Sequence, residues 1–370
     1  MGTFSFRIGA RESSCRARTG QMETAHGTVR TPAFMPVATN ATVKTLSPAE
    51  VAQAGIEILI ANAYHLSLRP GEETVARAGG LHRFMGWHRT IVTDSGGFQV
   101  FSLAGTKISD DGVVFVSQSD GTRRLMTPED SIRIQESLGS DIIMAFDHCP
   151  RSWNDDAELV RSTETTIRWA SRCRDAHRNR AQELFGIIQG GISPRLRERC
   201  ILALERIGFP GYGIGGLSIG EPFEETLRTV RLCVDILPET RVRYVMGVGE
   251  PLQMLSLIEE GVDLFDCGMP TRIARHGTAL TSRGKIAIKS ARFKNDELPL
   301  DVGCSCPVCR TWSRAYLRHL FNTREILGLR LVSLHNLVFT ARLIERARSA
   351  IAENRFPALK SAVEKEYNLS

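Results

Sequence analysis

The sequence predicts an α/β fold, a (β/α)8 TIM barrel with an inserted hairpin and a C-terminal appendage. Three observations carry this expectation. Eight short apolar runs recur along the 370 residues, most of them near-continuous, as in parallel strands buried on both faces. Capped amphipathic segments lie between many of the runs, giving the strand–helix alternation of a barrel. No Gly-x-Gly-x-x-Gly opens a first helix, which weakens the runner-up, an open doubly wound sheet.

In order, the runs are AFMPVA (33–38), EILIAN (57–62), TIVTD (90–94), DIIMAFD (141–147), LFGIIQG (184–190), GYGIGG (211–216), RYVMGVG (243–249) and DLFDC (263–267). After the first run, Ser47-Pro48 with Glu50 two residues on reads as a capped helix start. After the third, residues 101–126 break the alternation, and GVVFVSQSDGTRRLM reads as a hairpin turning at Asp120-Gly121. Thr127-Pro128 opens a helix that Gly139 closes. Residues 155–181 predict a long charged amphipathic helix, and SPRLRERCILALERIG, EPFEETLRTVRLCVDIL and EPLQMLSLIEEG predict three more. Residues 277–300 read as a second extended excursion, followed by two helices over roughly 311–327 and 336–353. The expected division is 1–300 for the barrel with its insertions and 301–370 for the appendage and its helices.

Composition narrows the class. At 42% hydrophobic and 24% charged, the chain reads as soluble and globular. No stretch approaches twenty apolar residues, so no membrane partner is expected. The opening MGTFSFRIGA lacks a secretory pattern, so the expected location is cytoplasmic. The net charge is +6, and only seven of the 47 basic residues are lysine. Arginine's planar fork suits phosphate. No acid falls between Asp266 and Asp296, a span holding Arg272, Arg275, Arg283, Lys285, Lys289, Arg292 and Lys294. A polyanion partner fits this placement, solvated helix faces being the plainer alternative.

In a barrel the C-terminal strand ends face the active site. Here they carry Asp94 followed by Phe98, then Asp147, Gln189, Gly216-Leu217, Met246 and Asp266. Three carboxylates, an amide and glycines that open space suit a flat nucleobase. Two of the acids could serve as nucleophile and general acid/base in glycosidic cleavage. The arginines after Asp266 could hold phosphates. Taken singly, each residue has a structural alternative: a capped turn at Asp94, a satisfied buried acid at Asp147, a loop brace at Gln189, and core packing at Phe98 and Met246.

Cys304-x-Cys306-x2-Cys309 places three soft thiolates within six residues. Zinc needs a fourth ligand, for which His335 is favoured over His319. Four protein ligands leave no open position, so the ion is expected to be structural.

The motifs HGTVRTPAFMPVAT, NAYHLSLRPG, TDSGGFQVFSL, LGSDIIMAFD, FGIIQGG, GIGGLSIGE, YVMGVG, DLFDCGMPTR and CSCPVC with the later LHN resemble the tRNA-guanine transglycosylases, or queuine tRNA-ribosyltransferases, over roughly residues 5–360. The resemblance implies a (β/α)8 barrel with a zinc subdomain. It implies exchange of the wobble guanine of tRNAs with a U-G-U anticodon core for a 7-deazaguanine, in queuosine biosynthesis. By resemblance Asp266 is the nucleophile forming a covalent ribosyl-enzyme, and Asp94 the general acid/base. Asp147, Gln189, Gly216 and Leu217 bind the base, Phe98 and Met246 sandwich it, and Arg272 and Arg275 lie near the RNA. One structural Zn2+ per subunit falls on Cys304, Cys306, Cys309 and His335. Ile219 and Glu221 stand near the base substituent, and branched Ile219 resembles the bacterial filling that accepts 7-aminomethyl-7-deazaguanine rather than queuine. Valine and glutamate are the commoner bacterial choices where this chain has Ile219 and His148. A homodimer is expected. A nucleoside hydrolase or a noncatalytic tRNA-binding subunit are the competing readings, the second opposed by retention of both Asp94 and Asp266.

Overall fold

The computed structural model describes residues 4–101, 103, 105–117 and 121–367. The chain enters through a three-stranded antiparallel sheet, β1 (Ser5–Arg11), β2 (Arg18–Thr24) and β3 (Gly27–Thr31). A search for near-continuous apolar runs misses this sheet, because β1 alternates exposed and half-buried residues. It plugs one end of the barrel: Met22 and Val29 are fully buried with the barrel's interior side chains, and Phe4 meets Phe185 edge-on at 5.6 Å.

The barrel itself follows the eight predicted runs. Its strands are β4 (Ala33–Ala38), β5 (Ile58–Ala61) and β6 (Thr90–Thr93), then, beyond an insertion, β10 (Ile142–Met144), β11 (Glu183–Ile188), β12 (Gly211–Ile214), β13 (Val242–Val245) and β14 (Leu264–Cys267). They close in chain order, with β14 beside β4 and Asp266 opposite Met35. Alternation within each run assigns one set inward and one outward. Met35, Ile58, Ile60, Val92, Ile142, Met144, Ile187, Tyr244 and Leu264 fill the interior, while Phe34, Leu59, Ile91, Ile143, Ile188, Val245 and Phe265 pack under the outer helices.

The insertion is a small antiparallel sheet, β7 (Lys107–Ile108), β8 (Val113–Val116) and β9 (Arg123–Met126). Asp120 of the expected turn lies outside the described residues. The excursion after the barrel is a hairpin, β15 (Thr278–Thr281) and β16 (Gly284–Ala287).

Helix starts follow the predicted caps. Ser47 and Glu50 form a capping box at Pro48–Gln53, as do Thr127 and Asp130 at Pro128–Leu138, which Gly139 ends in the left-handed conformation. The long charged helix runs Asp156–Ala176, ending five residues earlier than expected, because His177 leaves the helix with extended backbone. The late helices need a larger correction. They are Pro307–Thr311, Arg314–Asn322 and Ile326–Ala352, so the last begins ten residues before its expected start and contains His335 in its body. The break falls at Arg324, with φ +61, and no glycine or proline interrupts LRLVSLHNLVFTARLI. Ile326–Ala352 is long and apolar enough to cross a bilayer, yet 56% of that window is buried inside this fold. A final helix, Phe356–Tyr367, follows.

Candidate active site and metal cluster

Continuing the inward set one step further along each chain segment predicts what reaches the barrel mouth. Ile60 leads to Asn62, Val92 to Asp94, Ile187 to Gln189, Tyr244 to Met246 and Leu264 to Asp266. All five line one cavity of about 560 Å3. Phe98, Asp147, Gly216, Leu217, Ile219, Arg272 and Arg275 line it too. Glu221 is the predicted site residue that stands behind the wall. Its carboxylate accepts the backbone N–H groups of Ser218 and Ile219 and the Thr226 hydroxyl, fixing the loop that presents Leu217 and Ile219.

The three acids are held in three ways. Asp94 accepts Ala63 N–H at 3.0 Å and Gly96 N–H at 3.1 Å on Oδ1, and the Asn62 amide at 2.6 Å on Oδ2. Burial nevertheless pushes its carboxyl up to about 7, the neighbouring Asp266 and Asp147 charges adding to the rise. Asp266 is also raised by burial, against hydrogen bonds that favour its charged form. Both of these, Tyr244 O–H at 2.6 Å and Gly247 N–H at 2.9 Å, end on Oδ1. Oδ2 accepts no hydrogen bond from the described residues. Asp147 rises to about 6 through burial, opposed by Gln189 Nε2–H at 2.7 Å on Oδ2 and the Ser95 hydroxyl at 3.3 Å on Oδ1. Sequence reasoning singled out neither Asn62, Ser95 nor Tyr244. The inward parity of Asn62 was readable; the contact of Tyr244 with Asp266 on the neighbouring strand was not.

One wall is shaped for a flat acceptor–donor edge. Gln189 Oε1 is buried without a protein donor, while its Nε2 is committed to Asp147. Gly216 must be glycine here: its φ is +63, and a Cβ would come within 2.2 Å of that same Oε1. Phe98 stands 60% exposed on the short helix Gly97–Phe101, and half-buried Met246 lines the same cavity, so an aromatic face is left open. Arg272 and Arg275 share the face of the Met269–Arg275 helix that follows Asp266, three residues apart.

Beyond the barrel, Cys304, Cys306, Cys309 and His335 bring all four donor atoms within 4.8 Å of one another. His335 is fully buried, and its Nε2–H faces the Leu280 carbonyl of β15 at 2.7 Å. That bond fixes the tautomer and turns Nδ1 toward the sulfurs, at 3.3 Å from Cys309, 3.5 Å from Cys306 and 4.0 Å from Cys304. Arg342 places a guanidinium 3.3 Å from the Cys304 sulfur. The competing His319 stays on its own helix beside Tyr316. Three thiols and one imidazole with a fixed tautomer make a closed site for a four-coordinate metal.

Residues 13–369 match a family model described as queuine tRNA-ribosyltransferase. A queuine tRNA-ribosyltransferase from Moorella thermoacetica is 50% identical over 369 residues, covering 100% of this chain and 99% of its own. Proteins of the same name from Halothermothrix orenii and Fusobacterium nucleatum are each 50% identical, covering 95% of both chains.

Proposed function

The chain belongs to the queuine tRNA-ribosyltransferase family, and on that premise we propose that its barrel mouth exchanges the wobble guanine of tRNA through a covalent bond between ribose and Asp266. The enzyme is a tRNA-guanine transglycosylase, and its substrates are tRNA and a deazaguanine base. The observation that carries the residue roles is the unequal fastening of two carboxylates at one mouth. Asp266 has one oxygen pinned by Tyr244 and Gly247 and the other open to an anomeric carbon. Asp94 has a pKa set near neutrality, as a proton carrier needs.

In this reading Asp266 Oδ2 bonds to C1′ of the ribose as the C1′–N9 bond breaks. The electron pair of that bond leaves with guanine, and the departing base takes a proton from Asp94. The incoming base gives up its own N9 proton to Asp94 as its N9 bonds to C1′ and displaces Asp266, restoring the free carboxylate. The backbone stays intact and no nucleotide is consumed. Asp147 accepts ring and amino N–H groups, Gln189 Oε1 and the Gly216–Leu217 backbone complete the edge, and Phe98 and Met246 cover the two faces. Arg272 and Arg275 hold the phosphates flanking an extruded nucleotide in a U-G-U loop. Ile219 fills the substituent end with a branched side chain, which favours 7-aminomethyl-7-deazaguanine over bulky queuine.

The metal is assigned as zinc. Tetrahedral Zn–S and Zn–N bonds place sulfur and nitrogen about 3.6 Å apart, and the S···N separations here are 3.3 to 4.0 Å. Zinc bound there supplies structure alone, tying residues 301–370 to the barrel of residues 1–300, and the assembly is a homodimer. A competition assay on unmodified tRNA with labelled guanine, the aminomethyl base and queuine tests base choice. Preference for the aminomethyl base is expected. Preference for queuine would reassign the pocket, and base release without incorporation would make the enzyme a hydrolase.

A further inference from the structure

One buried charge is not used by this chemistry. Arg197, in the first turn of the Pro194–Ile207 helix, is fully buried, and it forms no ion pair among the described residues. Burial lowers its pKa, and the acidic groups that act on it are Glu221 and the buried thiols of Cys233, Cys200 and Cys149, which burial keeps protonated. Leaving a guanidinium in a low-dielectric interior without a counter-ion is unfavourable on general grounds. Its hydrogen bonds indicate what offsets that cost. Nε–H donates to the Gly191 carbonyl at 2.7 Å, and Nη1–H to the Ile188 carbonyl at 2.8 Å. Nη2 is buried with no acceptor among the described residues.

Those two carbonyls bracket Gln189 and Gly190. The same Ile188 carbonyl also accepts Gly215 N–H at 3.0 Å, so the guanidinium joins the end of β11 to the glycine loop after β12. The loop turns on two glycines in the left-handed half of backbone space, Gly190 with φ +137 and Gly191 with φ +55. A Cβ on Gly190 would come within 2.8 Å of the Arg197 backbone nitrogen, so helix and loop are as close as they can be. From this loop Gln189 reaches Asp147.

We propose that Arg197 is a positioning residue of the base site, its guanidinium clamping the Ile188 and Gly191 carbonyls so that Gln189 is set against Asp147 with Oε1 facing the incoming base. A planar fork is needed because the two carbonyls lie on either side of the loop; an ammonium reaches one of them. The inference rests on the reading of Gln189 and Asp147 as base ligands.

The test is a double-mutant cycle in the full-length enzyme, measuring guanine exchange into tRNA. Arg197→Lys should raise KM for the base about tenfold, with kcat and KM for tRNA within twofold of the parent. Gln189→Ala should raise KM for the base by a similar factor, and the double variant should be no worse than Gln189→Ala alone. Multiplying effects, or an Arg197→Lys loss shared equally by kcat and KM for tRNA, would overturn the proposal and leave Arg197 as scaffold. An unchanged base KM in Gln189→Ala would instead overturn the base-site reading, and the proposal with it. If Arg197→Lys does not fold, Arg197→Gln, which drops the charge and keeps a donor, is put through the same cycle. Failure of both to fold would likewise assign Arg197 to the scaffold.

Discussion

Burial raises the pKa of Asp94, Asp147 and Asp266 alike, yet each is fastened for a different task. For Asp147, near 6 in the fold against an ordinary 3.8, the sign follows from proton counting. Between those values the folded protein binds more protons than the unfolded chain, so stability is lost as pH rises through about 6. Asp147→Asn should therefore raise the melting temperature at pH 8, by the equivalent of roughly 1–3 kcal/mol, while abolishing base exchange. A lower melting temperature would show that its hydrogen bonds outweigh its desolvation. The same values bound activity. In the proposed mechanism exchange needs Asp147 ionised and Asp94 able to hold and release a proton, so kcat/KM for the base should decline below about pH 6 and again above about pH 7. A flat profile across pH 5–9 would remove both from the chemistry.

At the scale of elements, a histidine pair shows what the sequence concealed. His26, after β2, and His82, on the Gly80–Met85 helix, stack with ring centroids 3.4 Å apart and share Asp141, at 2.7 Å and 3.0 Å. The stacked rings aim their nitrogens at two carboxylate oxygens side by side, not at one point, so the trio reads as a latch between the N-terminal sheet and the barrel rather than as a metal site. Burial alone would raise Asp141, but the hydrogen bonds from His82, Ile91 N–H and His26 more than offset it and the pKa is lowered. Its contribution is present above the ordinary value of 3.8 and lost as pH falls through the lower folded value. Asp141→Asn should cost about 1–3 kcal/mol in urea unfolding at pH 6, with the difference shrinking as the pH is taken down through the lowered folded value. Equal stability at pH 6 would show the latch to be idle. Strand runs and helix caps were legible because each is written within a few consecutive residues: Ser47 with Glu50, Thr127 with Gly139. The latch was not, because its three residues are joined only by tertiary packing. His335 was legible as a ligand type but misplaced between helices, since hydrophobic burial along Ile326–Ala352 overrides the polar pair His335-Asn336. Asn336 donates to the Pro270 and Thr278 carbonyls and accepts Leu280 N–H, so a polar residue inside that helix is fully used.

Across the whole molecule, the cysteine cluster joins the last long helix to β15, through His335 and the Leu280 carbonyl, on the segment that follows Asp266. Chelation should consequently reduce helical circular dichroism and tRNA binding in the same concentration range. Full helicity and full tRNA affinity in metal-free protein would separate the cluster from both. The barrel itself was legible because parallel strands buried on both faces leave eight apolar runs that few other architectures require. The mouth was legible in the polar residues that end those runs, whereas the way Tyr244 and Gly247 bias Asp266 toward one free oxygen depends on the register of β13 against β14. That bias is the centre of the account, and mapping the covalent intermediate tests it most directly. Enzyme mixed with tRNA in the absence of free base, then denatured and digested, should yield a ribosyl adduct on the peptide carrying Asp266 and none in Asp266→Asn. An adduct on another residue, or undiminished exchange by Asp266→Asn, would contradict it.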